Sequence, residues 1–276
     1  MKISINSRII EGPWGGGNQA VIAIRNRMIA LGHQVIDHLE DGDIDAILMI
    51  HPNYHYKSIS YGIGSITYYR RIHPNTVLIH RVNTSGDIHR GYGIESKDLI
   101  KANRGADYTV FISNYLRTLY GEMGYDLSRP HSVILNGADR NIFHPVGSVE
   151  WQGKTPMRII THHWSSNMMK GFDIYKRLDD LLGSAPYKNI FEFTIVGNIP
   201  KQLKFFNSKI IPPLSGHVLA SEIRNNHIYL TASRNEAAGM HHIEGMQCGL
   251  PVLYLNSGAV PEYCSPYGVE FNLENF

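Results

Sequence analysis

Cysteine is scarce in this chain: Cys248 and Cys264 are the only two among 276 residues, which leaves neither a disulfide framework nor a metal site of cysteine spacing. Two reduced thiols fit a cytosolic protein. Long apolar runs are also missing. No stretch nears the roughly eighteen residues that a membrane span needs, and the opening MKISINSRIIEGPW has one lysine and no apolar core of a signal peptide. The expectation is a cytoplasmic protein, at most peripheral on the inner face of a membrane. Dense basic runs are lacking as well. With 26 Lys and Arg against 24 Asp and Glu, the net charge of +2 argues against a nucleic-acid partner and leaves room only for weak attraction to an anionic ligand or surface. There is no internal repeat, no low-complexity segment, no G-x-S-x-G, no P-loop and no H-E-x-x-H. Fifteen histidines invite a metal reading, but the pairs His162-His163 and His241-His242 lack ligand-type spacing to nearby carboxylates, so no metal is expected.

What is present is the composition of a folded protein, 43% hydrophobic and 18% charged, at a length that suits two domains. Short β-branched runs at 3–5, 35–37, 46–50, 77–80, 108–112 and 132–135 alternate with helical patterns at 18–31, 63–72, 97–104 and 114–123. Residues 136–155, with Gly137, Pro145, Gly147 and Gly153, interrupt that rhythm with turn chemistry. It resumes with strands at 158–161, 193–196, 227–231 and 252–255 and helices at 171–182, 219–225 and 239–248. The pattern predicts βαβ units and parallel sheets in two α/β domains, 1–150 and 151–276, with ligands bound at the carboxyl ends of the strands in a central cleft that the two sheets face.

Three motifs carry chemistry. Gly15-Gly16-Gly17-Asn18-Gln19-Ala20 satisfies G-x-G-x-x-A, and Asp37 stands where a ribose-binding acid would, which opens an NAD(P)-binding oxidoreductase or epimerase reading. Against it, residues 6–14 separate the glycines from the preceding strand, whereas the fingerprint turns directly out of the strand; a longer glycine loop before a helix offers bare N–H groups to an anionic or hydroxylated ligand. Asp41-Gly42-Asp43 contains a D-x-D, read as a solvated turn before a strand. The third is Asn235-Glu236-Ala237-Ala238-Gly239-Met240-His241-His242-Ile243-Glu244-Gly245, a polar loop leading into a helix from Ala238 or Gly239. If the span were all helix, its two glutamates would lie about 12 Å apart along the axis and about 80° around it. That exceeds the roughly 5–9.5 Å of a paired acid and base and suits a long ligand held at two points.

This last segment resembles the E-x7-E signature of retaining glycosyltransferase family 4. Glu236, Gly239, Glu244, Gly245, Gly249, Pro251 and Val252 follow the family's pattern, and Ser257-Gly258-Ala259 and Glu262 come after. Val133-Ile134-Leu135-Asn136-Gly137-Ala138-Asp139 with Phe143 and Pro145 is similar to its domain-joining motif, Met169-Lys170-Gly171-Phe172-Asp173 to its phosphate-lysine turn, and Phe193-Thr194-Ile195-Val196-Gly197-Asn198 to the strand ending over the base. The resemblance implies a GT-B fold, in which two Rossmann-like domains face a central cleft. The N-terminal domain would take the acceptor and the C-terminal domain the nucleotide-sugar.

It further implies a retaining, metal-independent transfer with no cofactor, from a UDP- or GDP-sugar to a glycan, lipid or small-molecule acceptor. Lys170, Glu236 and His80 are the expected catalytic residues. Donor contacts are expected from Gly16, Gly17, Ser165, Lys170, Asn198, His217, Val218, Glu236, Ala238, Gly239, Met240 and Glu244. In this scheme Glu236 and the amides after it hold the sugar, Glu244 the ribose, and the Gly216-His217-Val218 backbone the base. Lys170 stabilises charge that develops on the departing diphosphate. Arg81, Asn83 and Asp87 would face the acceptor. Trp164 stands where the family often has arginine, so either Ser165, Ser166 or a neighbouring histidine takes over part of the phosphate contact or the diphosphate is held less tightly. A non-catalytic nucleotide-sugar-binding protein on the same fold is the other alternative. Relatives continue through further helices, so the end at Phe276 implies a short or C-terminally truncated member.

Overall fold

Strands rich in Ile, Val, Leu and Phe, apolar on both faces, have to be covered on both sides, and parallel sheets flanked by helices meet that need. The computed structural model describes residues 1–12, 15–53, 55–86, 95–154, 156–274 and 276, with backbone alone for 95–98. The chain divides into two compact units, Met1–Glu11 with Gly17–Asn136, and Gly12–Gly16 with Gly137–Phe276.

In the first unit the order is β1 (Lys2–Ile5), α1 (Gly16–Ala30), β2 (Gln34–Ile36), β3 (Ala46–Met49), α2 (Ile63–Ile72), β4 (Val77–Val82), α3 (Glu95–Asn103), β5 (Tyr108–Phe111), α4 (Asn114–Glu122) and β6 (His131–Val133). The strands form a parallel sheet in the order β2-β1-β3-β4-β5-β6. Ile3, Ile5, Val21 and Ile50 form one core cluster, and Ile47, Met49, Ile66, Tyr69 and Leu78 belong to another. Ser113 caps α4 by accepting the Leu116 N–H at 3.1 Å.

The second unit runs β7 (Met157–His163), a 3-10 turn (Met168–Lys170), α5 (Phe172–Leu182), β8 (Phe191–Gly197), β9 (Lys209–Ile211), α6 (Gly216–Arg224), β10 (Ile228–Thr231), α7 (His241–Gln247), β11 (Val252–Leu255), α8 (Val260–Cys264) and β12 (Gly268–Phe271). Its parallel sheet is ordered β12-β11-β10-β7-β8-β9. The order reverses between β7 and β10, and in open α/β sheets that crevice, at the carboxyl ends of the strands, receives ligands. The apolar face of α5, with Phe172, Ile174, Tyr175 and Leu182, packs on Ile159, Phe193, Ile195 and Leu230.

Several expectations need correction. The units part between Asn136 and Gly137, earlier than the expected join near residue 150. The intervening segment is tied into the second unit: Arg224 donates to the carbonyls of Ile142 and His144, Gln247 to that of Ala138, and Val149 N–H to Arg224. The strand expected at 77–80 continues to Val82 because β5 pairs with it as far as Phe111. β9, β12 and the short α8 were not legible as elements, since edge strands with exposed residues such as Val269 show no apolar run. The D-x-D turn is held by Lys2, whose Nζ lies 2.8 Å from Asp41 and 2.5 Å from Asp43. No helix among the described residues is long and apolar enough to cross a membrane.

Asp179 shows how the second unit ties down an irregular segment. Fully buried on α5, its carboxylate accepts N–H bonds from Phe206 (3.0 Å), Asn207 (2.8 Å) and Ser208 (2.8 Å), plus the Ser208 hydroxyl. Burial alone would raise its pKa, yet these donors outweigh that, and the carboxyl is held below its ordinary value. Asp179→Ala is expected to cost about 3 kcal/mol, because buried donors lose a charged acceptor. Denaturant unfolding measures it; a change below about 1 kcal/mol would contradict this account.

Candidate active site

The site grows from the carboxyl edge of the second sheet. Asn167 turns the chain by accepting the Met169 N–H at 2.9 Å, and the 3-10 turn ends at Lys170. Gly171 follows with φ of 87°, and a Cβ there would lie 2.4 Å from Ala232, so glycine is required to let this turn approach β10. The Arg234 N–H donates to Met169 at 2.8 Å, and its guanidinium grips Asp173 at 2.8 and 2.6 Å. With the turn fixed in this way, Lys170 Nζ lies 2.5 Å from Glu236 Oε2, both side chains largely buried.

Glu236 is not on a helix. The loop holding it contains Asn235 and Gly239 in left-handed conformations, with φ of 50° and 72°, and α7 starts only at His241. The expected helix from Ala238 or Gly239, and the axial spacing of the two glutamates derived from it, are therefore superseded. The loop is clamped from the side: Asn235 N–H donates to Ser257 Oγ at 2.9 Å and Ala259 N–H to the Glu236 carbonyl at 2.8 Å. That explains why Ser257-Gly258-Ala259 accompanies the glutamate motif. Ala238 is buried, whereas Gly239 and Met240 are partly open.

Glu244 lies within α7 and is buried. Its Oε2 is 2.7 Å from His162 Nε2, on the last turn of strand before β7 ends. His163 Nε2 lies 2.7 Å from the Tyr175 hydroxyl, which also accepts the Ala232 N–H at 3.1 Å. His241 Nε2 lies 2.8 Å from Thr231 Oγ1, and its ring meets those of His163 and His242 at 4.5 and 4.8 Å. The two histidine pairs, separate in sequence, thus form one buried cluster with a carboxylate in hydrogen-bond reach. Sequence spacing could not show this, because the partners come from β7 and α7.

At the rim, Trp164 is 42% exposed and its carbonyl accepts the Asn198 side-chain amide at 2.7 Å. Ser165 Oγ accepts the Asn167 N–H at 3.2 Å, and His217 and Val218 are exposed on the first turn of α6. The second unit thus pairs Lys170 with Glu236 and Glu244 with His162, and Ser165 and Asn198 follow the ends of β7 and β8.

Gly16 begins α1 and groups with the second unit, while Gly17 belongs to the first. The loop between β1 and α1 includes residues 6–12 and 15, and Asn18 bonds both the N–H and the carbonyl of Ile10, at 3.0 and 2.8 Å. This is not the tight strand-to-helix turn of a dinucleotide fingerprint. His80 lies inside β4 of the first unit rather than at its end. It is 1% exposed, and its Nδ1 is 2.7 Å from the Asn103 amide. Burial pushes its pKa down to about 3. Arg81 donates to Asn136 at 2.7 Å, Asn83 follows β4, and Asp87 lies outside the described residues.

Residues 168–272 match the family described as "Glycosyl transferases group 1". Among solved structures, the chain is similar to WaaG, a glycosyltransferase involved in lipopolysaccharide biosynthesis, at 12% identity and a TM-score of 0.68, covering all of this chain and 87% of that one. It is similar to HepE of Anabaena, solved with UDP-glucose, at 15% identity and a TM-score of 0.65, covering 95% and 82%. Sucrose-phosphate synthase of Thermosynechococcus elongatus gives 13% identity and a TM-score of 0.66, covering 98% and 86%. No curated protein sequence matches the chain. The fold is that of GT-B glycosyltransferases. The matched segment supports a glycosyltransferase, and fold and segment together do not favour the oxidoreductase alternative.

The histidine cluster makes stability depend on pH. Burial first, then Lys170 and the neighbouring imidazoles, holds the pKa values of His163 and His241 well below the ordinary histidine value. Burial lowers His242 to about 4, against an opposing pull from Glu236. The unfolded chain takes up protons near about pH 6.5 that these buried rings refuse, so stability falls as pH drops from about 7 through 6.5 toward 4, by up to about 1.4 kcal/mol per pH unit for each ring. Unfolding free energies measured between pH 5 and 7.5 test this, and His242→Phe should flatten the slope by about one such increment. A flat profile over that range in the unaltered protein would contradict the assignment.

Proposed function

We propose that this chain is a retaining, metal-independent glycosyltransferase that moves a sugar from a nucleoside diphosphate, UDP or GDP, to an acceptor hydroxyl. The observation that carries the reading is the Lys170–Glu236 pair at the strand-order reversal between β7 and β10, inside the matched segment. A cation there meets the charge that builds on the diphosphate as the sugar–phosphate bond breaks. In a crevice poor in water such a charge is stabilised more in the transition state than in the ground state. Without donor, Glu236 neutralises that lysine. With donor bound, the β-phosphate takes the lysine and Glu236 accepts from sugar hydroxyls, both charges keeping partners.

In this reading the C-terminal unit is the donor side. Glu236 with the Ala238, Gly239 and Met240 amides holds the sugar, Glu244 the ribose, Asn198, His217 and Val218 the base, and Ser165 and the Gly16 and Gly17 backbone the diphosphate. The N-terminal unit is the acceptor side, and His80 is the third residue assigned a catalytic part. The departing diphosphate takes the acceptor's proton, so no side chain is assigned as nucleophile. The acceptor is a glycan, lipid or small molecule rather than nucleic acid, and the setting is cytoplasmic, peripheral to a membrane at most. The likeness to HepE, solved with UDP-glucose, supports the donor class.

Incubation with UDP-, GDP- and ADP-glucose, followed by thermal shift and by slow donor hydrolysis, identifies the donor. Turnover should persist in EDTA. Lys170→Ala and Glu236→Ala should each lower it by about a hundredfold or more while the circular dichroism spectrum is kept. Undiminished turnover in both variants would overturn the site, and binding of NAD(P) in place of these sugars would favour the oxidoreductase reading.

A further inference from the structure

The second glutamate of the site does not stand alone. Glu244 Oε2 lies 2.7 Å from His162 Nε2, and His162 Nδ1 lies 2.9 Å from the Tyr229 hydroxyl, which is also 3.2 Å from the His162 backbone N–H. The backbone N–H can only donate, so the Tyr229 oxygen accepts it and is free to send its own proton to Nδ1. With Nδ1 accepting from Tyr229, Nε2 carries the proton that points at the Glu244 carboxylate, which accepts it. Tyr229 also fixes where Glu244 stands along the crevice: a Cβ on Gly245 would lie 2.3 Å from the Tyr229 ring, so α7 rests its glycine directly against that ring. All three residues are buried, so the geometry is enforced by packing.

We infer that His162, oriented by Tyr229, is the positioning residue that holds Glu244 in its ligand-binding geometry, engaging one carboxylate oxygen and leaving the other to accept a ribose hydroxyl of the donor. This rests on the sugar-transfer reading above. A carboxylate held by a buried imidazole N–H is shorter of rotamer freedom and keeps its acceptor lone pairs aimed, and such supporting bonds set how well a site is preorganised. Its consequence falls on nucleotide affinity rather than on the bond-breaking step, because Glu244 belongs to the nucleoside end of the donor.

Calorimetry with uridine, guanosine and adenosine diphosphates on the full chain identifies the nucleotide bound, and its sugar conjugate then serves for kinetics. His162→Leu should weaken nucleoside diphosphate binding about tenfold and raise donor KM to match, with kcat changed by less than about threefold. His162→Gln, which returns an N–H toward Glu244, should restore most of the affinity. Tyr229→Phe keeps the ring packed on Gly245 and should cost about threefold. In a Glu244→Gln background, His162→Leu should add less than about twofold, since the two act as one unit.

Nitrogen-15 NMR of the imidazoles supplies a readout independent of donor: His162 should carry its proton on Nε2 and should lose that preference in Tyr229→Phe. A ring protonated on Nδ1, a kcat loss without change in affinity, or additivity with Glu244→Gln would each overturn the inference while leaving sugar transfer intact. If the ring shows the expected tautomer but the chain binds none of the three nucleotides, the sugar-transfer reading falls and the inference falls with it.

Discussion

A lysine and a glutamate separated by 66 positions meet at 2.5 Å, and two irregular segments of the second unit bring them there. Lys170 is delivered by a 3-10 turn that only a left-handed glycine allows so close to Ala232. Glu236 is delivered by a loop with two left-handed residues, clamped by Ser257 and Ala259. Neither side chain could be buried alone, since an unpaired charge in that position would cost several kcal/mol. Each therefore satisfies the other until an anionic ligand offers a replacement, which makes the pair both a structural requirement and the feature a diphosphate would compete for.

Near the pair the second unit gathers polar groups of another kind. His163, His241 and His242 are buried imidazoles with pKa values pushed below the usual range. They bond to hydroxyls: His163 to Tyr175 and His241 to Thr231. A neutral ring can donate at one nitrogen and accept at the other, so such rings line a deep wall without adding cations beside Lys170. Trp164, just past the end of β7, adds a partly exposed apolar surface.

Much of this was legible in the sequence, for identifiable reasons. Strands such as Val252–Leu255 and helices such as Ile63–Ile72 stand out because burial on one or both faces leaves a periodic apolar trace. Edge strands β9 and β12 leave none, as half their residues face solvent. The lysine-turn and two-glutamate motifs were readable because glycine and charged residues at fixed offsets are local properties. The helix start was misjudged because Gly239 takes a positive φ that its neighbours do not announce. His80 was placed at a strand end because the apolar run stops there, whereas pairing with β5 carries the strand to Val82.

The sequence by itself determined the two parallel α/β units and the residue types offered to a donor, since periodicity, turn chemistry and motif spacing are written along the chain. Only the tertiary structure decided which of those residues touch. It joined His162 of β7 to Glu244 of α7, set Tyr229 of β10 against both His162 and Gly245, and merged two distant histidine pairs into one wall. The physical reason is that hydrogen bonds and close packing act over ångströms in space, and strand order in the sheet, 3-2-1-4-5-6 in the unit's own count, places β7 beside β10 rather than beside its sequence neighbours alone.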